Sequence, residues 1–418
     1  MPLMPDGWEE GLLPRLTELY KDLHAHPELS FQERRTAAKA AELLAAAGYD
    51  VTTGVGGTGV VGVLANGPGP TVMLRADMDA LPVREETGLP YASTVRARAE
   101  DGEQVPVMHA CGHDMHTACL AGAATVLAGA RAEWSGTLLV VFQPAEERMR
   151  GAQAMVEDGL FERFPRPDIV LGQHVGPLPA GWIGYREGTV MAGADTAVIR
   201  LFGRGGHGAR PESTVDPVVM AAATVLRLQG IVAREVPPQE SAVVTVGRLQ
   251  AGSKENVIPD TAELGISLRS YNDEIRRLLR TAVERVARGE SLAGGATRDP
   301  EITWDTPAPV LVSDPEATRA VVADLAGHFG ADRMLPMPLV TASEDVGRFG
   351  TAAQVPTVFW FWGGLETQRV LDALADGTFD QLPGNHSPRF APLIDPTLGA
   401  GVEALTVAAL GRFAAAKP

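Results

Sequence analysis

Cysteine is nearly absent: Cys111 and Cys119 are the only two in 418 residues. A disulfide framework is excluded in practice, and a reduced compartment, the cytoplasm, becomes the default expectation. Basic residues are outnumbered as well. A formal net charge of −16 argues against nucleic acid or an anionic membrane as main partner, which leaves small molecules, cations or other proteins. The stretch Met1 to Gly7 has neither the basic region nor the apolar core of a secretory leader, and the longest apolar run, Ala118 to Ala130, is too short to span a bilayer. No internal repeat, low-complexity tract or long disordered linker is evident.

With 45% hydrophobic and 21% charged residues, the chain has material for a large core and for two domains. Leu12 to His24 reads as an amphipathic helix. Ser30-Phe31-Gln32-Glu33 has the form of a capping box and opens a second helix through Ala37, Ala40 and Leu44 that Gly48 can stop. His24 and His26 are expected to serve structure. Gly54 to Gly59 precedes a strand-like Val60 to Leu64 rather than a helix, so it reads as a turn between strands and not as a phosphate loop. Thr71 to Ala76, Gly136 to Phe142, Ile169 to Gly172 and Thr357 to Trp362 read as strands, with a buried-type helix at Thr117 to Ala130 and a final helix at Leu398 to Ala414. Polar residues at strand ends lie where an open, mostly parallel α/β sheet binds ligands. From Thr196 to Trp304 the rhythm changes to β-α-β-β-α-β, the order of a ferredoxin-like unit. Residues 1–189 and 306–418 are expected to form an α/β catalytic domain, and 190–305 an inserted ferredoxin-like α+β domain.

The stretch Met108-His109-Ala110-Cys111-Gly112-His113-Asp114-Met115-His116 crowds three histidines, a thiol and a carboxylate ahead of an apolar segment. In an extended loop Cys111 and His113 leave the backbone on the same side and can share a metal ion, with Asp114 and His116 in supporting roles. The bland alternative is a capped helix start with a small buried cysteine. Three further places weigh against it: Glu146-Glu147 after one strand, His174 at the end of another, and His386 in a loop. A thiolate, imidazoles and a carboxylate suit Zn²⁺, Co²⁺ or Mn²⁺ better than Mg²⁺ or Ca²⁺. Five candidate ligands exceed the four of a structural zinc, so two ions sharing a cleft and a water are expected. Of the adjacent glutamates, one can face metal while the other acts as general base, the alternative being a solvated acidic pair at a helix start. Asp77 and Asp79 close a strand, where ligand binding and turn capping are both open to them. Gly203-Arg204-Gly205-Gly206-His207-Gly208 matches G-x-G-x-x-G only formally, because the next helix starts well after it at Asp216-Pro217. A glycine-rich turn presenting His207 accounts for it better.

Together, the stretches His26 to Ser30, Arg75 to Pro82, Met108 to His116, Gln143 to Glu147, Gly205 to Pro211, Asn256 to Asp260, Ser343 to Asp345 and Asn385 to Ser387 resemble the dinuclear metal-dependent aminoacylase and carboxypeptidase family. The likeness is to its amidohydrolase branch of hippurate hydrolases, N-acyl-amino-acid amidohydrolases and indole-acetyl-amino-acid hydrolases. It implies Cys111, His113, Glu147, His174 and His386 as ligands of two divalent ions and Glu146 as the base. It also implies a homodimer built through the inserted domain, a lid from which His207 reaches the cleft of the other subunit. Asn256 and Arg269 would hold the substrate carboxylate, the latter with its two-pronged guanidinium. Asp79 and, by the same logic, Asp114 stand behind the ligands. The chain departs from the pattern at Asp77, where the carboxypeptidase branch has a histidine ligand, and at Glu212, where many amidohydrolases have a histidine.

The implied activity is hydrolysis of the amide bond of an N-acyl amino acid, or of a related small amide bearing a carboxylate, to a carboxylic acid and an amino acid. A metal-activated water attacks, and Glu146 moves its proton to the leaving amine. Two other readings compete. One is a metal-free thiol hydrolase pairing Cys111 with His109 or His113; the other is a non-catalytic protein that keeps the fold to bind a metal or small ligand.

Overall fold

A computed structural model of the chain describes residue 4 and residues 7–305 and 307–415. Most of the stretch read for a leader, and the domain junction expected at Thr306, lie outside the described residues. The chain separates into two compact units, the second comprising Met191–Leu311 and Leu339–Glu344. That is wider than residues 190–305, and backbone pairing is the reason. The Ala192 N–H donates to the carbonyls of Val340 and Ala342, and Ala194 and Ala308 exchange a pair of hydrogen bonds.

The first unit is built on an eight-stranded sheet. Its four inner strands, Gly136–Gln143, Thr71–Asp77, Ile169–Pro179 and Thr357–Leu365, lie side by side in that order and run parallel. They are buried almost throughout, as continuous runs such as Leu138-Leu139-Val140-Val141-Phe142 require of strands covered on both faces. Asp50–Val55 and Gly59–Asn66 form an antiparallel hairpin at one side, so Gly54 to Gly59 is a turn between strands. The alanine-rich helices His113–Gly129 and Thr397–Ala415 bury nearly every side chain. Their approach depends on Gly122, where a Cβ would lie 2.6 Å from both Val402 and Leu16 side-chain carbons. The bilayer reading from the longest apolar run passed over two helices. Thr397–Ala415 and Pro217–Arg234 are long and apolar enough to cross a membrane by length and composition, and the former is mostly buried inside the protein.

The second unit has a four-stranded antiparallel sheet in the spatial order Ala242–Ala251, Thr261–Ser270, Gly193–Phe202, Glu301–Trp304. With helices Pro217–Arg234 and Asp273–Ala293 in the connections, this is a ferredoxin-like arrangement. Asp216 and Asn272 cap the two helices, accepting from the N–H groups of Val218 and Ile275. Ala262, Leu264, Ile266 and Leu268 alternate inward on the strand and meet Leu279, Val283 and Val286 of the second helix in one core.

Two local expectations are corrected. Ile169 opens a strand that runs to Pro179, which places His174 in its middle rather than at its end, because the pairing with Thr357–Leu365 continues past it. Ser30 and Glu33 are not a capping box. The helix Arg34–Ala46 is capped by Glu28, which accepts from the N–H groups of Arg35 at 3.0 Å and Thr36 at 2.8 Å, so the other two side chains are free to reach across the fold.

His24, on the helix Trp8–Ala25, is fully buried between Asp114 Oδ2 at 2.6 Å and Glu85 Oε1 at 3.0 Å. Burial alone would remove its proton, but the two carboxylates outweigh that and lift its pKa to about 10. A histidine pKa raised on folding contributes stability that is complete below its unfolded value of about 6.5 and is lost as pH rises through 10. His24→Gln, which leaves two buried carboxylates without their cation, is expected to cost about 3–5 kcal/mol at pH 6.5 by denaturant unfolding. The difference from wild type should shrink toward pH 10; an equal loss at both ends would contradict a charged His24.

Candidate metal centre

All five expected ligands belong to the first unit, and irregular backbone sets four of them. Cys111 and His113 do not flank an extended loop. Gly112 between them is left-handed at φ +83°, and a Cβ there would lie 2.4 Å from Val175 Cγ1, so the chain turns sharply into the helix that His113 opens. Glu146 and Glu147 share one 3₁₀ turn after the strand Gly136–Gln143, between Ala145 and Met149, both at positive φ. His386 is also left-handed, at φ +69°, and its N–H donates to the Ala110 carbonyl at 2.8 Å. Asn385 beside it donates to the carbonyls of Cys111 and Val175, 3.1 Å each, tying this loop to two others.

The five side chains converge. Cys111 Sγ lies 3.5 Å from His174 Nε2, Glu147 Oε2 lies 3.3 Å from His386 Nε2, and His113 Nε2 is 3.9 Å from a carboxylate oxygen of each of Glu146 and Glu147. Ligand atoms of Cys111, His113 and His174 lie within 4.8 Å of one another, and so do those of Cys111, Glu147 and His386. The thiol is common to both groups. His113 Nδ1 bonds the Asp79 carbonyl and His174 Nδ1 the Val175 carbonyl, 2.8 Å each. A carbonyl only accepts, so Nδ1 carries a proton and Nε2 is the nitrogen each ring presents to a metal.

Two buried atoms here, His113 Nε2 and Glu147 Oε1, have no hydrogen-bond partner. Orphaned buried polar atoms are rare and costly, and a soft-to-borderline divalent cation among a thiol, imidazoles and carboxylates would satisfy both. The residues fit such ions. They do not fit a metal-free thiol enzyme. Burial, then the charges of Glu147, Glu146 and Asp77, push the Cys111 thiol far above its usual range, whereas a nucleophilic thiolate needs positive surroundings. Burial takes His109 down to about 4, and neither of its ring nitrogens has a partner.

Behind the ligands, Asp79 accepts the backbone N–H groups of Glu146 and Glu147. His116, 2.5 Å from Asp77 Oδ1, accepts the Val175 N–H on Nε2 at 2.9 Å, next to His174. Asp77, His113 and His116 are also close enough for a metal, but both nitrogens of His116 are engaged and Arg75 holds the other oxygen of Asp77, so this trio is a brace. Asp114 turns to His24, 2.6 Å from its Nδ1. Asn385, Ser30 and Glu33 were given no such role from sequence; Asn385 was signalled only by its adjacency to His386.

His207, Asn256 and Arg269 belong to the second unit. His207 is exposed on a short pairing with Val257, and its Nδ1 accepts the Ala209 N–H at 3.0 Å, which leaves Nε2–H as an outward donor. The Gly208 N–H donates to the Asn256 carbonyl, so these two loops adjoin. Arg269, half-buried on Thr261–Ser270, donates to Ser343 Oγ. Glu212 is exposed near Arg210.

The profile described as peptidase family M20/M25/M40 matches residues 73–372. The hippurate hydrolase of Campylobacter jejuni is 40% identical, covering 81% of this chain and 88% of its own. The N-acetylcysteine deacetylase of Bacillus subtilis is 39% identical over 72% of this chain and 76% of that one. Among solved structures, a Bacillus subtilis dinuclear metal-binding peptidase from the M20 family superposes with a TM-score of 0.76 at 31% identity, covering 96% of this chain and 98% of the other.

Titration of metal-free protein with Zn²⁺ or Mn²⁺ is expected to register two ions per chain, each adding roughly 2.7 kcal/mol of stability at a hundredfold excess over its Kd. His386→Ala should weaken one of the two. Calorimetry that finds no binding, or binding untouched by loss of both Cys111 and His386, would contradict this site.

Proposed function

The chain belongs to peptidase family M20/M25/M40, and on that footing we propose that Glu146 is its general base and that Cys111, His113, Glu147, His174 and His386 hold two divalent ions. The protein is a metal-dependent amidohydrolase that cleaves N-acyl amino acids to a carboxylic acid and an amino acid. Two of its relatives are named for hippurate and N-acetylcysteine, both acylated amino acids with a free carboxylate.

The observation that carries the assignment is the pair of adjacent glutamates with different surroundings. A 3₁₀ turn rotates successive side chains by about 120°, so neighbours can face different partners. Both carboxylates come to 3.9 Å from His113 Nε2, and Glu147 also meets His386 at 3.3 Å. When bound, the two ions polarise the amide carbonyl and bring the pKa of a water toward about 7. Glu146 takes the proton of the attacking water and returns it to the leaving nitrogen, which departs as an amine. His207, with Nε2–H free, donates to the oxyanion in the cleft of a second copy, and Asn256 and Arg269 take the substrate carboxylate.

The first unit is then the catalytic domain and the second a lid and dimerisation domain. Apolar side chains support the latter: Val219 and Leu226 are 64% and 76% exposed on Pro217–Arg234, and Val243 and Leu249 are exposed on the edge strand Ala242–Ala251. Unpaired edges and exposed apolar patches favour pairing with a second copy. Two free cysteines, one of them an intended ligand, suit the cytoplasm.

Glu146→Gln should lower kcat by about 10²- to 10⁴-fold on N-benzoyl- or N-acetyl-amino acids while metal content and KM stay near wild type; a kcat within tenfold removes the base assignment. Leu226→Glu should shift the protein from dimer to monomer in analytical ultracentrifugation at micromolar concentration. A wild type that sediments as a monomer, or a variant that stays dimeric, contradicts that interface.

A further inference from the structure

Three consecutive backbone N–H groups, those of Ala145, Glu146 and Glu147, are each taken by a buried carboxylate. Glu33 Oε1 accepts from Ala145 at 2.8 Å, Asp79 Oδ1 from Glu146 at 3.1 Å, and Asp79 Oδ2 from Glu147 at 3.0 Å. The two carboxylates are held from behind. Thr58 Oγ1 donates to Glu33 Oε2 at 2.5 Å, Ser30 Oγ donates to Asp79 Oδ2 at 2.6 Å, and the Phe31 N–H also donates to Glu33 Oε1. Neither acid is accessible to solvent beyond 1%.

The turn that they hold is one that the chain would not choose. Ala145 sits at φ +47°, left-handed without being glycine, and such a residue persists only where its surroundings over-determine it. At its far side Gly151 lies so close to the Pro144 carbonyl that a Cβ would be 1.5 Å from the oxygen, so the loop closes tightly on itself. Glu33 grips the first N–H of this turn, and its own position is unfavourable: burial, then the charge of Asp79, raise its pKa to about 7. The helix that Glu33 precedes gains nothing from its side chain, since Glu28 does the capping.

We propose that Glu33 is a positioning residue for the reaction, fixing the left-handed Ala145 turn so that Glu146 and Glu147 point to separate tasks. This rests on the roles assigned to those two glutamates above. Asp79 still holds the Glu146 and Glu147 N–H groups when Glu33 is lost, so the aim of the turn suffers before the metal ligand is lost. A misplacement of about 1 Å at a catalytic group is enough for a loss on the order of 10²-fold.

The experiment compares Glu33→Ala with Glu33→Gln on a metal-loaded enzyme, reading kcat, KM and Zn²⁺ affinity. Glu33→Ala is expected to lower kcat about 10²-fold with KM within about threefold and two ions still bound. Glu33→Gln keeps an oxygen for Ala145 and Phe31 and offers its NH₂ to Thr58, and should recover kcat to within about fivefold of wild type. A Glu33→Ala kcat within twofold of wild type overturns the proposal, and so does a Glu33→Gln as inactive as the alanine variant. Should Glu33→Ala fail to fold, Thr58→Val decides: a several-fold fall in kcat with KM unchanged supports the proposal, and wild-type kcat overturns it. The Glu146→Gln control keeps the two readings apart, since normal turnover there removes the base assignment whatever Glu33 does.

Discussion

His113 Nε2 and Glu147 Oε1 are buried and have no hydrogen-bond partner in the protein, in a place built from a thiol, imidazoles and carboxylates. An arrangement of that kind is unfavourable in isolation, because buried charges and lone pairs lose water without gaining a partner. Its persistence requires that the fold hold it together and that positive charge arrive from outside. Both the scaffold and the chemistry follow from this one imbalance.

The scaffold meets the first requirement with backbone rather than with side-chain packing alone. Val175 is a hub: its N–H goes to His116 and its carbonyl receives His174 and Asn385, so one peptide on an inner strand registers three parts of the site. Asp79 does the same for the glutamate turn and also aligns His113 through its carbonyl. Rigid parallel strands buried on both faces give these anchors a fixed frame, and left-handed Gly112, Ala145 and His386 aim the ligands away from the regular paths of their elements.

Much of this was legible in the amino-acid sequence. Strand and helix alternation, the ferredoxin-like order and the places that offer ligand-type side chains follow from pattern and residue type, because apolar periodicity and ligand chemistry are local properties; which glutamate faces a metal came only from the family resemblance. The failures are equally physical. Ser30 and Glu33 satisfy the local signature of a capping box, and only the tertiary fold, which sends them to Asp79 and Ala145, reveals otherwise. The strand read from Ile169 to Gly172 would leave His174 at its end, yet parallel pairing with Thr357–Leu365 carries the ladder past it. Asp114, beside a ligand in sequence, is occupied by a histidine ninety positions earlier, a pairing that spacing alone does not encode.

The central claim is that Cys111, His113, Glu147, His174 and His386 would together hold two ions. Anomalous diffraction from Zn²⁺- or Mn²⁺-loaded crystals, collected above and below the metal edge, tests it most directly. The account predicts two peaks roughly 3.5–4 Å apart, as in other two-metal hydrolytic sites, both lying among these five side chains. A single peak, or peaks centred on Asp77 and His116 and away from Glu147 and His386, would contradict it.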